Sequence, residues 1–250
     1  MEPVFTPLLA CYIFVIQTAG FVIKGLIGFG NPLLTGPLLS MRLDNSVITP
    51  GNLVIDAPTN AYIVWKNRKS FDWRRMIPLT LSVLAGVLPG TLLLKLALPW
   101  VIKVILGVLV LVIGVEMATR DKASKHSLHP AIQYVVAFVS GIFAGLYGIN
   151  LLIVAYLERT TDSHSAFKGS ICFLFCAENL FRIVLYLLTG IFTKASLYLA
   201  LLTLPAAVLG IRISNLLEPR LPKERVRQGV LALFLFSGAS ILIKALVFRA

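Results

Sequence analysis

Lys24, Gly25, Gly28, Gly30, Asn31 and Pro32 are crowded into an otherwise apolar stretch that opens Ala19-Gly20-Phe21-Val22-Ile23. An ammonium group, a side-chain amide and backbone bared by glycine are the groups that hold a small oxyanion, and a helix broken here turns a positive dipole end toward it. A similar stretch recurs roughly 120 residues later, Ser140-Gly141-Ile142-Phe143-Ala144-Gly145-Leu146-Tyr147-Gly148-Ile149-Asn150, with Gly145, Leu146 and Gly148 matching Gly25, Leu26 and Gly28. Gly25, Gly28, Gly30, Gly145 and Gly148 are candidate points of close backbone approach, and Asn31 and Asn150 are candidate amide donors. The competing reading is close helix packing, since small residues let backbones approach in a membrane. Paired breaks in two halves are the pattern of a transport site.

Other polar groups sit among apolar neighbours. Lys24 either pairs with a bound anion or snorkels toward an interface. Thr49, Asn52 and Ser170 are candidate anion donors, or else bond neighbouring helices. Asp56 and Glu178 are mid-span carboxylates, and such groups mark ion pathways, so both are candidate proton carriers. Glu178 has Arg182 four residues on, the spacing of a structural ion pair on one helix face. Asp56 has no partner on its own helix, which makes it the stronger coupling candidate. His126, His129 and His164 all fall in polar connections, and Cys11, Cys172 and Cys176 in apolar runs. Neither a metal site, a disulfide nor a cofactor is expected.

The elements that must position these residues are membrane helices. The chain has 250 residues, is 58% hydrophobic and 14% charged, and its mean hydropathy is +0.88, against roughly 25% charged for a globular chain. One membrane domain, 1–250, uses it all. Only Glu2 is charged before the first apolar run, so no cleaved signal peptide is expected. The net charge of +12 lies in short connections, which suits a bilayer partner rather than nucleic acid.

Apolar segments are expected at 5–23, 33–41, 46–65, 76–94, 101–117, 132–157, 166–188, 195–217 and 226–247, with Ser46 capping the third. The pair Asn31-Pro32 supports a break. Residues 120–130 form a polar connection between a first repeat, 1–119, and a second, 131–250. Gly86 and Gly90 match Gly210 and Ser214, Leu98-Pro99 matches Leu221-Pro222, and Asp56 falls opposite Glu178.

Basic residues orient the halves. Lys66, Arg68, Lys69, Arg74 and Arg75 crowd the earlier connection of the first half, whereas Arg220, Lys223, Arg225 and Arg227 crowd the later one of the second. Basic connections stay in the cytoplasm, so the halves should be inverted. Inversion needs an odd number of crossings in each. The expected fold is therefore all-α, two inverted repeats, each a glycine-broken segment that returns to its own side plus three transmembrane helices. The length of 5–23, enough to span alone, is the point against re-entrance. Irregular backbone at membrane depth must be buried in protein or line a watery cavity, so the two breaks are expected to meet.

At these residues the chain resembles the TauE/SafE sulfite-exporter family of sulfonate and sulfite permeases. The resemblance rests on Gly20, Gly25, Gly28, Gly30 and Pro32, on Phe71-Asp72-Trp73-Arg74, on Gly86-Val87-Leu88-Pro89-Gly90, and on Gly141, Gly145, Gly148, Gly190 and Gly210. It covers nearly the whole chain. It implies secondary movement of small sulfur-containing anions across the bacterial inner membrane, with proton or sodium coupling and a homodimer both open. The family usually has a further glycine where Asn31 stands and Gly-Gly-Pro where Asn150-Leu151-Leu152 stands, which puts the ligand's identity in question. A passive anion channel and an intramembrane enzyme are the rival functions. The enzyme is disfavoured because no histidine lies within a span and Asp56 is essentially alone. No phosphate-binding loop of the ATPase type is present.

Overall fold

The computed structural model describes residues 6–96, 130–147 and 150–222, with scattered helical positions between 108 and 115 and between 228 and 243. Among the described residues the regular structure is helical: α1 (Pro7–Ile27), α2 (Asn31–Leu39), α3 (Asn45–Asn67), α4 (Trp73–Leu96), α5 (Pro130–Tyr147), α6 (Leu151–Thr160), α7 (His164–Leu188) and α8 (Lys194–Leu217), followed by a 3-10 turn, Glu218–Arg220. Among them α1, α7 and α8 are long and apolar enough to cross a membrane. The segments expected at 101–117 and 226–247 lie, apart from isolated positions, outside the described residues.

Local chemistry sets the ends. The Thr6 hydroxyl accepts from the Leu9 amide at 3.3 Å, and Pro7 opens α1 with a φ already helical. Gly28, at φ 88°, closes α1 in the left-handed region and donates its amide to the Lys24 carbonyl at 2.7 Å. Gly30, at φ 95°, precedes α2, whose first turn contains Pro32, where a missing amide costs nothing. Two left-handed residues around Phe29 turn the chain back. Helix α3 starts two residues earlier than expected, at Asn45 with Asp44 at the cap, so Ser46 lies inside the helix. Thr193 and Ser196 form a reciprocal capping box at the start of α8.

Both glycine stretches make helical hairpins. Helix α2 returns along α1, and the Tyr12 hydroxyl donates to the Leu38 carbonyl at 2.7 Å. Helix α6 returns along α5: the Tyr156 hydroxyl donates to Gln133 at 2.6 Å, and the Ile153 amide to the Ser140 hydroxyl at 3.2 Å. One step along the chain maps the end of α1 onto the end of α5 and the start of α2 onto the start of α6. Gly25 and Gly145 do not interrupt anything, because α1 and α5 run through them to Ile27 and Tyr147.

The described residues fall into two compact units. One holds α1, α2, α3, the later part of α7 and α8; the other holds α4, α5, α6 and the first part of α7. Each unit thus takes helices from both halves of the sequence.

In the first unit α8 packs along α1 and α3. A Cβ on Gly210 would stand 2.7 Å from the Thr18 carbonyl oxygen and 3.0 Å from the Val22 amide nitrogen. In the second unit α4 packs along α5, and a Cβ on Gly86 would stand 3.0 Å from the Ile142 amide nitrogen and closer still to the Phe138 carbonyl oxygen. The step that relates the hairpins also relates Thr18 to Phe138 and Val22 to Ile142. Lipid supplies no hydrophobic drive between helices, so such backbone contact is what associates them.

Besides a buried apolar core, many large apolar side chains face outward and several polar ones face inward. Leu8, Val15, Leu187, Leu188, Leu201 and Leu216 are exposed, while Gln17, Lys24, Asn31, Asn52, Asp56 and Asn60 are buried.

Candidate functional site

The turn between α1 and α2 arrives near the middle of α3. Ile13, Ile16 and Leu39 share an apolar cluster with Val47 and Ile48 at the start of α3 and with Ala195 and Leu199 at the start of α8. At the other end, Lys66 bonds Asn215 at 2.8 Å and Glu218 at 3.0 Å, joining the ends of α3 and α8. Asp56 lies between these two ends on α3.

Six buried polar side chains from three helices form one network there. Gln17 on α1 donates to the Asn52 carbonyl oxygen on α3 at 2.6 Å, and the Asn52 amide contacts the Thr35 hydroxyl on α2 at 3.4 Å. Thr35 donates to the Asn31 backbone carbonyl at 2.9 Å, and the Asn31 side-chain amide donates to Asp56 Oδ1 at 3.2 Å. The same oxygen is ion-paired with Lys24 Nζ, which also lies 3.4 Å from the Asp56 backbone carbonyl and 5.7 Å from the centre of the Phe21 ring. Lys24 is 3% exposed and Asp56 7%, so Lys24 does not snorkel. Burying a lone ammonium or carboxylate costs several kcal/mol each, and pairing the two offsets part of that cost.

Gly20 and Gly25 serve this arrangement by packing. A Cβ on Gly20 would occupy the place of the Asn31 side chain, and one on Gly25 would run into Ser214 on α8. Gly25 therefore faces a neighbouring helix.

Along α7 in the same unit, Glu178 Oε1 lies 3.7 Å from Arg182 Nη1, and Arg182 donates to the Tyr186 hydroxyl at 2.9 Å. Thr49 is exposed and stays outside the network. In the second unit, Asn150 is buried at the cap position of α6 and accepts from the Ser140 hydroxyl at 3.4 Å, Ser170 is 4% exposed, and Gly145 lies within α5. Gly148 lies outside the described residues.

Sequence reasoning did not single out Gln17, Thr35, Asn60, Ser214 or Lys168 as site residues. Helical spacing carried a signal for three of them: Gln17 sits two turns before Lys24, Thr35 one turn after Asn31, and Asn60 one turn after Asp56. Asn60 is fully buried with neither side-chain amide atom bonded, and Gln17 Oε1, Asn31 Oδ1 and Ser214 Oγ are likewise unbonded. Buried polar atoms without partners are rare and call for a ligand or water. Lys168, 1% exposed, is a buried cation of the second unit.

The family model described as sulfite exporter TauE/SafE matches residues 12–241, a range that includes both hairpin turns and the whole Lys24–Asp56 network. The chain belongs to the TauE/SafE sulfite exporter family. No curated protein and no solved structure matches it. As a TauE/SafE protein with long apolar helices it is a multi-pass membrane protein of a transporter family. What that family adds to the geometry is a small anion, such as sulfite, as the cargo. Asn31, where the resemblance led to the expectation of a further glycine, is the residue that bonds Asp56.

Proposed function

We propose that this protein is a secondary transporter of small sulfur-containing anions, organosulfonates or sulfite, in the bacterial inner membrane. The observation that carries the reading is the buried Lys24–Asp56–Asn31 cluster at the hairpin turn. A cation and an amide donor converge at mid-depth on α3, where a carrier alternately opening to either side would hold its cargo. Lys24 and Asn31 bond the anion, Gly28 and Gly30 shape the turn, and Asn52 positions the turn through Thr35. Asp56 couples transport to an ion, and Glu178 with Arg182 is a structural pair beside it. For the second hairpin, Gly148, Asn150 and Ser170 are the proposed contacts along the anion's path.

Inverted repeats support the alternating cycle. The equivalent helix hairpins, the matching contacts of Gly210 and Gly86, and the reversed bias of basic residues all favour duplication with inversion. The hairpins favour re-entrance, since the end of α2 returns to the level of Tyr12 near the start of α1.

Thermal unfolding of purified protein with sulfite, thiosulfate, sulfate, taurine, ethanesulfonate and aromatic sulfonates tests the reading. A ligand at a hundred times its Kd stabilises by about 2.7 kcal/mol. A shift with sulfite or a sulfonate that Lys24→Gln abolishes is expected; no shift with any of them overturns the assignment.

A further inference from the structure

The groups assigned to the cargo anion are already holding an anion, the carboxylate of Asp56. Lys24 Nζ and the Asn31 side-chain amide converge on a single oxygen, Asp56 Oδ1. We infer that Asp56 is a built-in competitor for the anion site, and that cargo binds only when a proton neutralises Asp56 and frees Lys24. This deepens the transport reading and rests on it.

The argument is one of buried charge. Lys24 and Asp56 together are neutral, and both are almost completely buried. Adding a monovalent anion would leave one uncompensated negative charge in the interior, which costs several kcal/mol. One proton removes that charge. In the exchange, a proton from solution adds to the Asp56 carboxylate and the ion pair with Lys24 opens. The sulfonate oxygens then take the ammonium. One anion and one proton enter together, so for a monovalent cargo the step is electroneutral. Release on the far side returns the proton and re-forms the pair. Each anion therefore carries its proton in the same direction.

Asp56 is the carboxylate that shares its oxygen with both Lys24 and Asn31. Helix α1 presents Lys24, and α2 presents Asn31, which carries no charge. Helix α7 presents Arg182, within electrostatic reach of Asp56, together with Glu178 and with Cys176, which feels Lys24. Glu178 faces its own cation, Arg182, at 3.7 Å. The buried polar side chains of α8 are the hydroxyls of Ser196, Thr203 and Ser214, and Arg212 is exposed.

Calorimetry of the detergent-solubilised full chain with ethanesulfonate and thiosulfate, whose own charges do not change near neutral pH, decides it. Titration in buffers of different ionisation enthalpy should show about one proton taken up per ethanesulfonate, and the apparent Kd should weaken about tenfold per pH unit once Asp56 is ionised, because affinity scales with the competent fraction. Asp56→Asn should bind more tightly at alkaline pH, with no pH dependence and no proton uptake. If the variant does not fold, proton uptake by the unaltered protein still decides. Binding without uptake, or uptake that persists in Asp56→Asn, overturns the competition while leaving the transport reading standing. Failure of the unaltered protein to bind ethanesulfonate, thiosulfate and sulfite at any pH overturns both.

Discussion

Lys66, in the last turn of α3, is ion-paired at 3.0 Å with Glu218, which follows α8. The basic connection that begins at Lys66 and the one that begins at Arg220 therefore leave the same end of the first unit. That is where inverted halves would bring them, since basic connections are retained in the cytoplasm.

Single cysteines introduced in the Cys-free background should follow this. Arg68→Cys and Lys223→Cys should be labelled by a membrane-impermeant maleimide only after the cells are opened, and cysteines near either terminus in intact cells. Ready labelling of Lys223→Cys from outside would sink the inverted arrangement.

Gly210 and Gly86 should be equally intolerant of side chains. Each lies against helix backbone, which cannot swing aside as a flexible side chain does. Overpacking costs about 1–3 kcal/mol even where side chains can adjust, so Gly210→Leu and Gly86→Leu should each lose most folded protein on size-exclusion chromatography. Gly36→Ala is the control, because nothing lies within 4 Å of the added carbon. It should be neutral or stabilising by about 0.5–1 kcal/mol.

At Gly28 the expected effect comes from the backbone. Its φ of 88° costs a side-chain-bearing residue about 1–2 kcal/mol, so Gly28→Ala should lower the unfolding temperature by a few degrees. Gly28→Leu should in addition abolish anion binding, by moving Lys24 and Asn31 out of register at the turn, and Gly148→Leu should do the same in the second hairpin. Normal calorimetric binding by both leucine variants would make the glycines packing features only.

Lys24→Met should destabilise the protein by about 3–5 kcal/mol, since it strands a buried carboxylate. The double variant Lys24→Met/Asp56→Leu should recover most of that loss, because two apolar side chains can replace a buried pair at little cost. Neither should bind anion. Thermal unfolding of both single variants and the double variant measures the coupling; additive losses would mean that the pair does not act as one unit.

Much of this was present in the order of residues alone. Composition dictated a membrane protein, because so few charges leave no other home for so many apolar side chains. The turn at Gly28 and Gly30 was legible because glycine and proline act through their own backbone, whatever surrounds them; the second break, expected at Gly145 and Gly148, was not, since the helix runs through Gly145 to Tyr147. The pairing of Glu178 with Arg182 was legible for a similar reason: residues four apart on a helix are neighbours by geometry.

The partner of Asp56 was not legible. Lys24 lies on another helix, and helical periodicity tells which face a residue is on but not which helix that face meets. The same gap explains Gly25, read as an anion contact and found against Ser214, and Thr49, expected among donors and found exposed. Whether a buried cation waits for cargo or already holds an internal carboxylate depends on the packing of α1 and α2 onto α3. Only the tertiary structure decided that.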